Sequence, residues 1–237
     1  MKMKKIILLT ASVLFSAGIL FMTGCKKDDT TPPVVTVVGT NPMTISLNVA
    51  LVADLGATAK DDKDGDITKN ITSDWASIDV NMAGTYTVKY SVSDAAGNVG
   101  TATRTVNVVN DAMAWEGTYH GSETDVNGLY TYNPNMDATK WNVVTASTTV
   151  NNRILLTRLG DYANNTVYLT VAGTSLTLPS QTVSSVGTGT SPCNVHDRKS
   201  DGTGTKTATG FTLTYNDSKV SPCTGTRTSV AATFVKY

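Results

Sequence analysis

Nine consecutive residues, Thr85-Tyr86-Thr87-Val88-Lys89-Tyr90-Ser91-Val92-Ser93, alternate polar and apolar side chains without a break. A period of two suits a strand with one buried face and cannot supply the stripe a helix needs. It puts Tyr86, Val88, Tyr90 and Val92 on one face. The turn-forming cluster Asp94-Ala95-Ala96-Gly97-Asn98 follows, and Thr103-Arg104-Thr105-Val106-Asn107-Val108 returns, so the pair reads as a hairpin. Val35–Val38 and Thr44–Val49 are shorter runs of the same kind. Composition agrees: there are 40 Thr, only two Glu and 16% charged residues, so strand and turn formers outweigh helix formers. A coiled coil, a helical bundle and a basic nucleic-acid binder are excluded. The formal net charge is zero, and no nucleic-acid partner is expected.

The chain begins with an address. Lys2, Lys4 and Lys5 precede an uncharged apolar run, Ile6–Phe21, that closes on Met22-Thr23-Gly24-Cys25. Sixteen apolar residues are short for a membrane span and match a signal peptide over residues 1–24. The Gly24-Cys25 junction resembles a bacterial lipobox, with Met22 where Leu is usual. That resemblance implies cleavage before Cys25, a diacylglyceryl thioether on its sulfur and an acylated amine. Residues 25–33 form a tether, in which Lys26-Lys27-Asp28-Asp29 resembles the surface-export signal of Bacteroidota-type lipoproteins. The mature chain of 213 residues carries 16 basic against 19 acidic groups. A membrane partner through the lipid anchor, outer-membrane localisation and cell-surface exposure are the expectation.

Residues 34–110 carry four ordered motifs: Asp61-Asp62-Lys63-Asp64-Gly65-Asp66-Ile67-Thr68, Gly84–Tyr90, Asp94–Asn98 and Arg104–Val108. Together they resemble a bacterial immunoglobulin-like domain. The resemblance implies a seven-stranded sandwich serving as spacer or adhesive module. Its acidic stretch needs water or a cation to relieve like-charge repulsion. Asp62, Asp64 and Asp66 alternate like the opening of a calcium loop, although Gly65 is not at the EF-hand glycine position and no Glu closes the loop. Calcium at Asp62, Asp64 and Asp66 is one expectation; an exposed Asp-Gly turn is the other. No other cofactor is expected.

Residues 112–237 read as a meander. Runs at Trp115–Gly121, Gly128–Tyr132, Trp141–Val150, Arg153–Leu159, Thr166–Val171, Ser175–Leu178, Gln181–Val186, Gly204–Ala208, Phe211–Tyr215 and Thr226–Lys236 are joined by short Gly- and Asn-rich links such as Asn151-Asn152, Ala172-Gly173-Thr174 and Thr209-Gly210. So many sequential strands leave open edges unless they close, which favours an antiparallel β-barrel over a second sandwich. Trp115–Tyr119 and Phe234–Tyr237 resemble the paired first and last strands of a lipocalin or calycin barrel, with the order of Trp and Gly reversed. The whole chain is therefore expected to be all-β, an immunoglobulin-like sandwich followed by a barrel, each folding on its own.

Candidate sites are few. Cys193 and Cys223, each in Ser-Pro-Cys, are the thiols left after lipidation, and in an exported protein they argue for one disulfide. Its loop of about 31 residues would contribute roughly 3.5 kcal/mol. A metal site with His196 is the weaker alternative. Trp115, Tyr119, Tyr130, Tyr132 and Trp141 crowd into 27 residues. Such rings usually bury in a barrel wall; the sharper expectation is a platform that stacks on sugar rings. No nucleophile–base set is present; Glu116 and Glu123 with Asp125 could supply a glycosidase pair, but acids on a strand are usually a solvated face. The expected protein is thus a non-catalytic surface lipoprotein that binds a glycan, with adhesion to a protein partner as the alternative and a glycoside hydrolase as a distant one. Replacing Cys25 with Ser should leave the precursor uncleaved or release the protein into the soluble fraction; a processed variant that still partitions with membranes would refute lipidation.

Overall fold

The computed structural model describes residues 28–124, 131–132, 141–161, 165–183, 197–220 and 225–237. Residues 1–24, Cys25, Cys193, His196 and Cys223 lie outside them, and with them the expected signal peptide and disulfide. Within the first segment seven strands form two sheets, β1 (Val34–Val37), β3 (Ala57–Asp61) and β4 (Gly65–Asp66) in one, β2 (Met43–Ser46), β7 (Val99–Val109), β6 (Gly84–Ser93) and β5 (Thr72–Ser73) in the other. The hairpin read from the alternation is β6–β7, in register from Gly84 opposite Val108 to Ser93 opposite Val99. Val88, Tyr90 and Val92 are buried as the parity requires, and Val88 and Tyr90 share a core with Ile45, Leu47, Ile78, Val106 and Val108.

Parity also carries a charge inward. Arg104, on the same face of β7 as Val106, is wholly buried. Its guanidinium donates to the carbonyl oxygens of Val38 and Gly56 and lies 3.6 Å from Asp54 Oδ1. Tyr90 donates its hydroxyl to that same Asp54 oxygen at 2.8 Å. Burial, with Asp54 alongside, pushes the Tyr90 phenol up to about 12. An unpaired guanidinium here would be costly, so the carbonyls and Asp54 are what make the position tenable.

Residues 117–236 close into a barrel. Strands β8 (Gly117–Thr124), β10 (Asn142–Ala146), β11 (Arg153–Thr157), β12 (Thr166–Ala172), β13 (Ser175–Val183), β14 (Arg198–Lys206), β15 (Gly210–Lys219) and β16 (Thr226–Lys236) pair antiparallel in chain order, and β9 (Thr131–Tyr132) adds to β8. Closure comes at β8, where Tyr119 lies opposite both Asn142 of β10 and Lys236 of β16. Eight strands give a lumen that side chains can fill. Tyr119, Val144, Ile154, Leu156, Leu169, Leu176, Leu178, Phe211, Leu213 and Phe234 fill it here. Gly202 and Gly204 let β14 approach β15 closely; a Cβ on either would sit 2.3 or 2.1 Å from a carbonyl oxygen of β15.

Several strand expectations change. The expected run Trp141–Val150 is strand only over Asn142–Ala146 and gives way to a bend. Trp115 sits in a 3-10 turn, Met113–Trp115, and the first strand starts only at Gly117. The run Ser175–Leu178 and the described start of the run Gln181–Val186 are one strand, β13, whose register shifts between Leu178 and Gln181. Pro179 lies within that irregularity, where its missing N–H is tolerated. The run at Gly204–Ala208 begins earlier, at Arg198, because the polar sequence Arg198–Gly202 hides a strand whose inward residues are Arg198 and Ser200.

The two segments meet through Asn110, which is 1% exposed. Its Nδ2 lies 2.9 Å from the Ser147 carbonyl oxygen and 3.0 Å from those of Val150 and Arg153. Its Oδ1 accepts from the N–H groups of Ala112 and Asn152, both at 2.9 Å. Around it Ala83 N–H donates to Thr148 O at 2.7 Å, Asn151 N–H to Asn48 Oδ1 at 2.8 Å, and Ser46 Oγ to Asp111 Oδ1 at 2.8 Å. Replacing Asn110 with Ala strands these buried groups. We expect it to lower the unfolding free energy by roughly 2–4 kcal/mol in urea denaturation; an unchanged midpoint would show that the amide does not hold the junction.

Candidate functional site

The aromatic residues divide between the lumen and the outer wall. Trp115 and Tyr119 are 4% and 2% exposed, and both pack edge-on against Phe211, with centroids 6.1 and 5.2 Å away. Tyr119 donates its hydroxyl to the Trp115 carbonyl at 2.7 Å, and burial pushes its phenol up. Neither ring offers a free face, so the expectation that Trp115 and Tyr119 form a sugar platform is corrected: strand parity turns Tyr119 inward, and the turn at 113–115 tucks Trp115 under the barrel rim. Tyr130 and the side chain of Tyr132 lie outside the described residues.

Trp141 does face out. It stacks with His120 (centroids 4.7 Å, planes at 36°) and with Tyr237 (5.0 Å, 35°), while His120 and Tyr237 lie nearly parallel at 5.5 Å. The register explains the cluster: β8 runs between β10 and β16, and outward positions alternate with the buried Tyr119 and Phe234. Tyr237 is 83% exposed, and Val143 and Val235 flank the rings on the same wall. Among the described residues His120 Nε2 and Trp141 Nε1 have no hydrogen-bond partner. His120 and Tyr237 escape a reading of single strands, because only the barrel register brings them beside Trp141.

The acids are placed differently from expectation. Glu123 is not on a solvated face: it is 2% exposed, accepts from the Tyr215 hydroxyl at 2.8 Å and from the Gly160 N–H at 3.0 Å. Glu116 accepts from the Ala146 N–H at 2.8 Å and lines a cleft of about 450 Å³ between the two segments. The lumen also holds Arg198, whose Nε lies 2.7 Å from both carboxylate oxygens of Asp217. Asp125 lies outside the described residues.

Asp62, Asp64 and Asp66 do not converge. Asp62 pairs with Lys63 at 2.6 Å, Asp64 Oδ2 accepts from the Ala95 N–H at 2.6 Å, and Asp66 is held low by the Thr68 hydroxyl and N–H. The β3–β4 turn points its alternate acids to solvent, and the acid it turns inward is Asp61. Ligand oxygens of Asp29, Asp61 and Asp94 all lie within 4.8 Å of one another. Asp61 Oδ1 takes the N–H groups of Lys63 and Asp64, which hold its carboxyl below the usual range, while its buried Oδ2 has no partner. Three carboxylates and an orphaned oxygen fit a hard cation with oxygen ligands. Asp29 belongs to the tether, and Asn98 Nδ2, which donates to its carbonyl at 3.1 Å, also donates to Asp94 at 2.8 Å.

No curated protein matches the chain. Among solved structures, a lipoprotein from Bacteroides thetaiotaomicron aligns with 86% of this chain and 100% of its own at 17% identity and a TM-score of 0.32. A structure of a carbohydrate-binding module in complex with GlcNAc and INT domains from Clostridium perfringens ZmpB aligns with 71% of this chain and 29% of its own, at 19% identity and a TM-score of 0.26. Both likenesses are too loose to carry an argument. Residues 35–108, the span that the four motifs mark, match the family described as bacterial surface protein, Ig-like domain.

Proposed function

We propose that the protein is a non-catalytic, lipid-anchored surface protein of the outer membrane that presents a glycan-binding barrel on an immunoglobulin-like spacer. The observation that carries the glycan assignment is the ring cluster Trp141–His120–Tyr237. An exposed aromatic face offers a sugar its apolar side to stack on, and here the widely exposed ring is that of Tyr237, backed by Trp141 and His120. The spacer role rests on the bacterial surface family matched by residues 35–108, and the anchor on Cys25. Adhesion to a protein is the second reading, favoured by Val143 and Val235, 42% and 44% exposed beside the rings.

Affinity gels and a glycan array with the mature chain test the assignment. Trp141→Ala and Tyr237→Ala should each weaken polysaccharide binding about tenfold, the worth of one good stacking contact, without lowering the thermal midpoint of the barrel. Retention by no glycan surface would sink the glycan assignment and leave the protein-binding one.

Calcium is proposed at the corrected position, Asp29, Asp61 and Asp94, where it would pin the tether to the end of the sandwich. Millimolar calcium should then raise the melting temperature relative to EDTA. Asp61→Asn should remove that increment and Asp62→Asn should not; equal responses of the two variants would dismiss the site.

A further inference from the structure

A second concavity lies around the rim from the ring cluster, on the far side of the turn Met113–Trp115 from the junction cleft. It is a recess of about 230 Å³ lined by Trp115, Tyr119, Lys206, Thr207, Thr209 and Lys236, among others. Lys206 Nζ lies 5.1 Å from the Trp115 ring centroid and Lys236 Nζ 5.9 Å from that of Tyr119. Among the described residues its lining contains no acid, and neither lysine has a carboxylate within ion-pair distance. Two ammonium groups therefore share one recess on a mature chain that is acidic overall.

Both lysines are exposed, and their backbones are fixed at the rim. Lys206 ends β14, and its N–H donates to Thr174 O at 2.8 Å; Lys236 ends β16, and its N–H donates to Thr209 O at 2.7 Å. Gly117 clears a path for the Lys236 stem: a Cβ at that position would lie 2.6 Å from Lys236 Cε. Each ammonium then rests over an aromatic ring, a contact that attracts a cation while leaving its hydrogens available.

We propose that this recess binds the oxyanion of an acidic sugar, a carboxylate or a sulfate, as a subsite continuous with the ring cluster. The two adjoin in the chain at the rim: Lys236 lines the recess, and the next residue, Tyr237, carries the exposed ring. A glycan lying on Tyr237 and Trp141 would pass over the rim and place its next residue between the two ammonium groups. The volume admits about one sugar ring, smaller than the pockets that enclose drug-sized ligands. This proposal rests on the glycan assignment above.

The test titrates the mature protein with glucuronate, inorganic sulfate, a neutral polysaccharide, polygalacturonate and a sulfated glycosaminoglycan, by calorimetry and NMR. The wild type should bind the acidic polymers at least tenfold more tightly than the neutral one, with affinity falling as salt rises. Lys206→Gln with Lys236→Gln should remove that preference and keep neutral binding, and Lys206→Glu should invert it. Trp141→Ala should weaken both classes of polymer while glucuronate or sulfate still shifts the resonances of Thr207 and Thr209. Polygalacturonate alone retained selects the carboxylate, and the glycosaminoglycan alone selects the sulfate; either supports the subsite. Acidic binding unchanged in the double Gln variant, or a wild type that prefers neutral polymers, overturns the subsite and spares the platform. Anion binding that ignores Trp141→Ala with every polymer overturns the platform and spares the subsite.

Discussion

The Asn110 side chain is the constraint on which the arrangement of the molecule depends. A linker of Asn110-Asp111-Ala112 looks from its polarity like a hinge, yet Asn110 is buried and every polar atom of its amide is engaged. The Nδ2 reaches three carbonyl oxygens around the Ser147–Arg153 bend, and the Oδ1 takes two N–H groups, one on the linker and one on the bend. Buried amides are tolerated only when satisfied, and here satisfaction requires both segments at once. The bend in turn reaches back to Asn48 and Ala83 of the sandwich. A polar linker so fully bonded is a weld rather than a hinge.

Inside the barrel, polarity is zoned. At the rim nearest the sandwich the lumen is aromatic, with Trp115, Tyr119, Phe211 and Phe234 packed on one another. Toward the other end it holds the Glu123–Tyr215 pair and the Arg198–Asp217 ion pair. A buried ion pair of that kind adds little net stability over an apolar pair but is costly to break from one side, so it disfavours any register that separates β14 from β15. That matters for β14, whose sequence Arg198–Lys206 has no apolar residue to fix which face turns inward. The glycines at 202 and 204 play the complementary part, because any other residue there would collide with β15 carbonyls.

Much of the architecture was legible in the sequence. Strict alternation over Thr85–Ser93 determines both a strand and its buried face, and short Asn- and Gly-rich joins force hairpins, which in sequence leave closure as the natural way to remove edges. The family resemblance added the sandwich. What parity could not reveal is where a charged or polar residue follows its neighbours inward. Arg104, Glu123 and Arg198 all lie on inward positions, and the usual rule that charge faces water misassigns them. Trp115 and Tyr119 drop out of the expected platform for a related reason. Trp115, Tyr119 and Trp141 are close in sequence, but Tyr119 and Trp141 belong to opposite faces of the wall, and the real cluster takes Tyr237 from the far end of the chain. Cross-strand register across a closed barrel is a property of the whole sheet, and no local window contains it. The acidic loop shows the same limit: Asp62, Asp64 and Asp66 share a parity, but the convergent group draws Asp29 and Asp94 from two other segments.

The turn Met113–Trp115 connects these themes. Its first N–H donates to the Asn110 carbonyl at 3.0 Å, and Trp115 N–H donates to Ala112 O at 3.0 Å, so the weld at the junction also sets the position of the Trp115 ring. That ring lies under Lys206 and against Phe211, which itself stacks on Phe234 at 4.5 Å. On the opposite side of the same turn, Met113 and Glu116 line the cleft between sandwich and barrel. One turn of chain thus forms a wall of two concavities and the attachment of one domain to the other. Any tilt of the barrel on the sandwich must pull on this turn. The floor of the rim recess and the joint between the two segments are therefore one element.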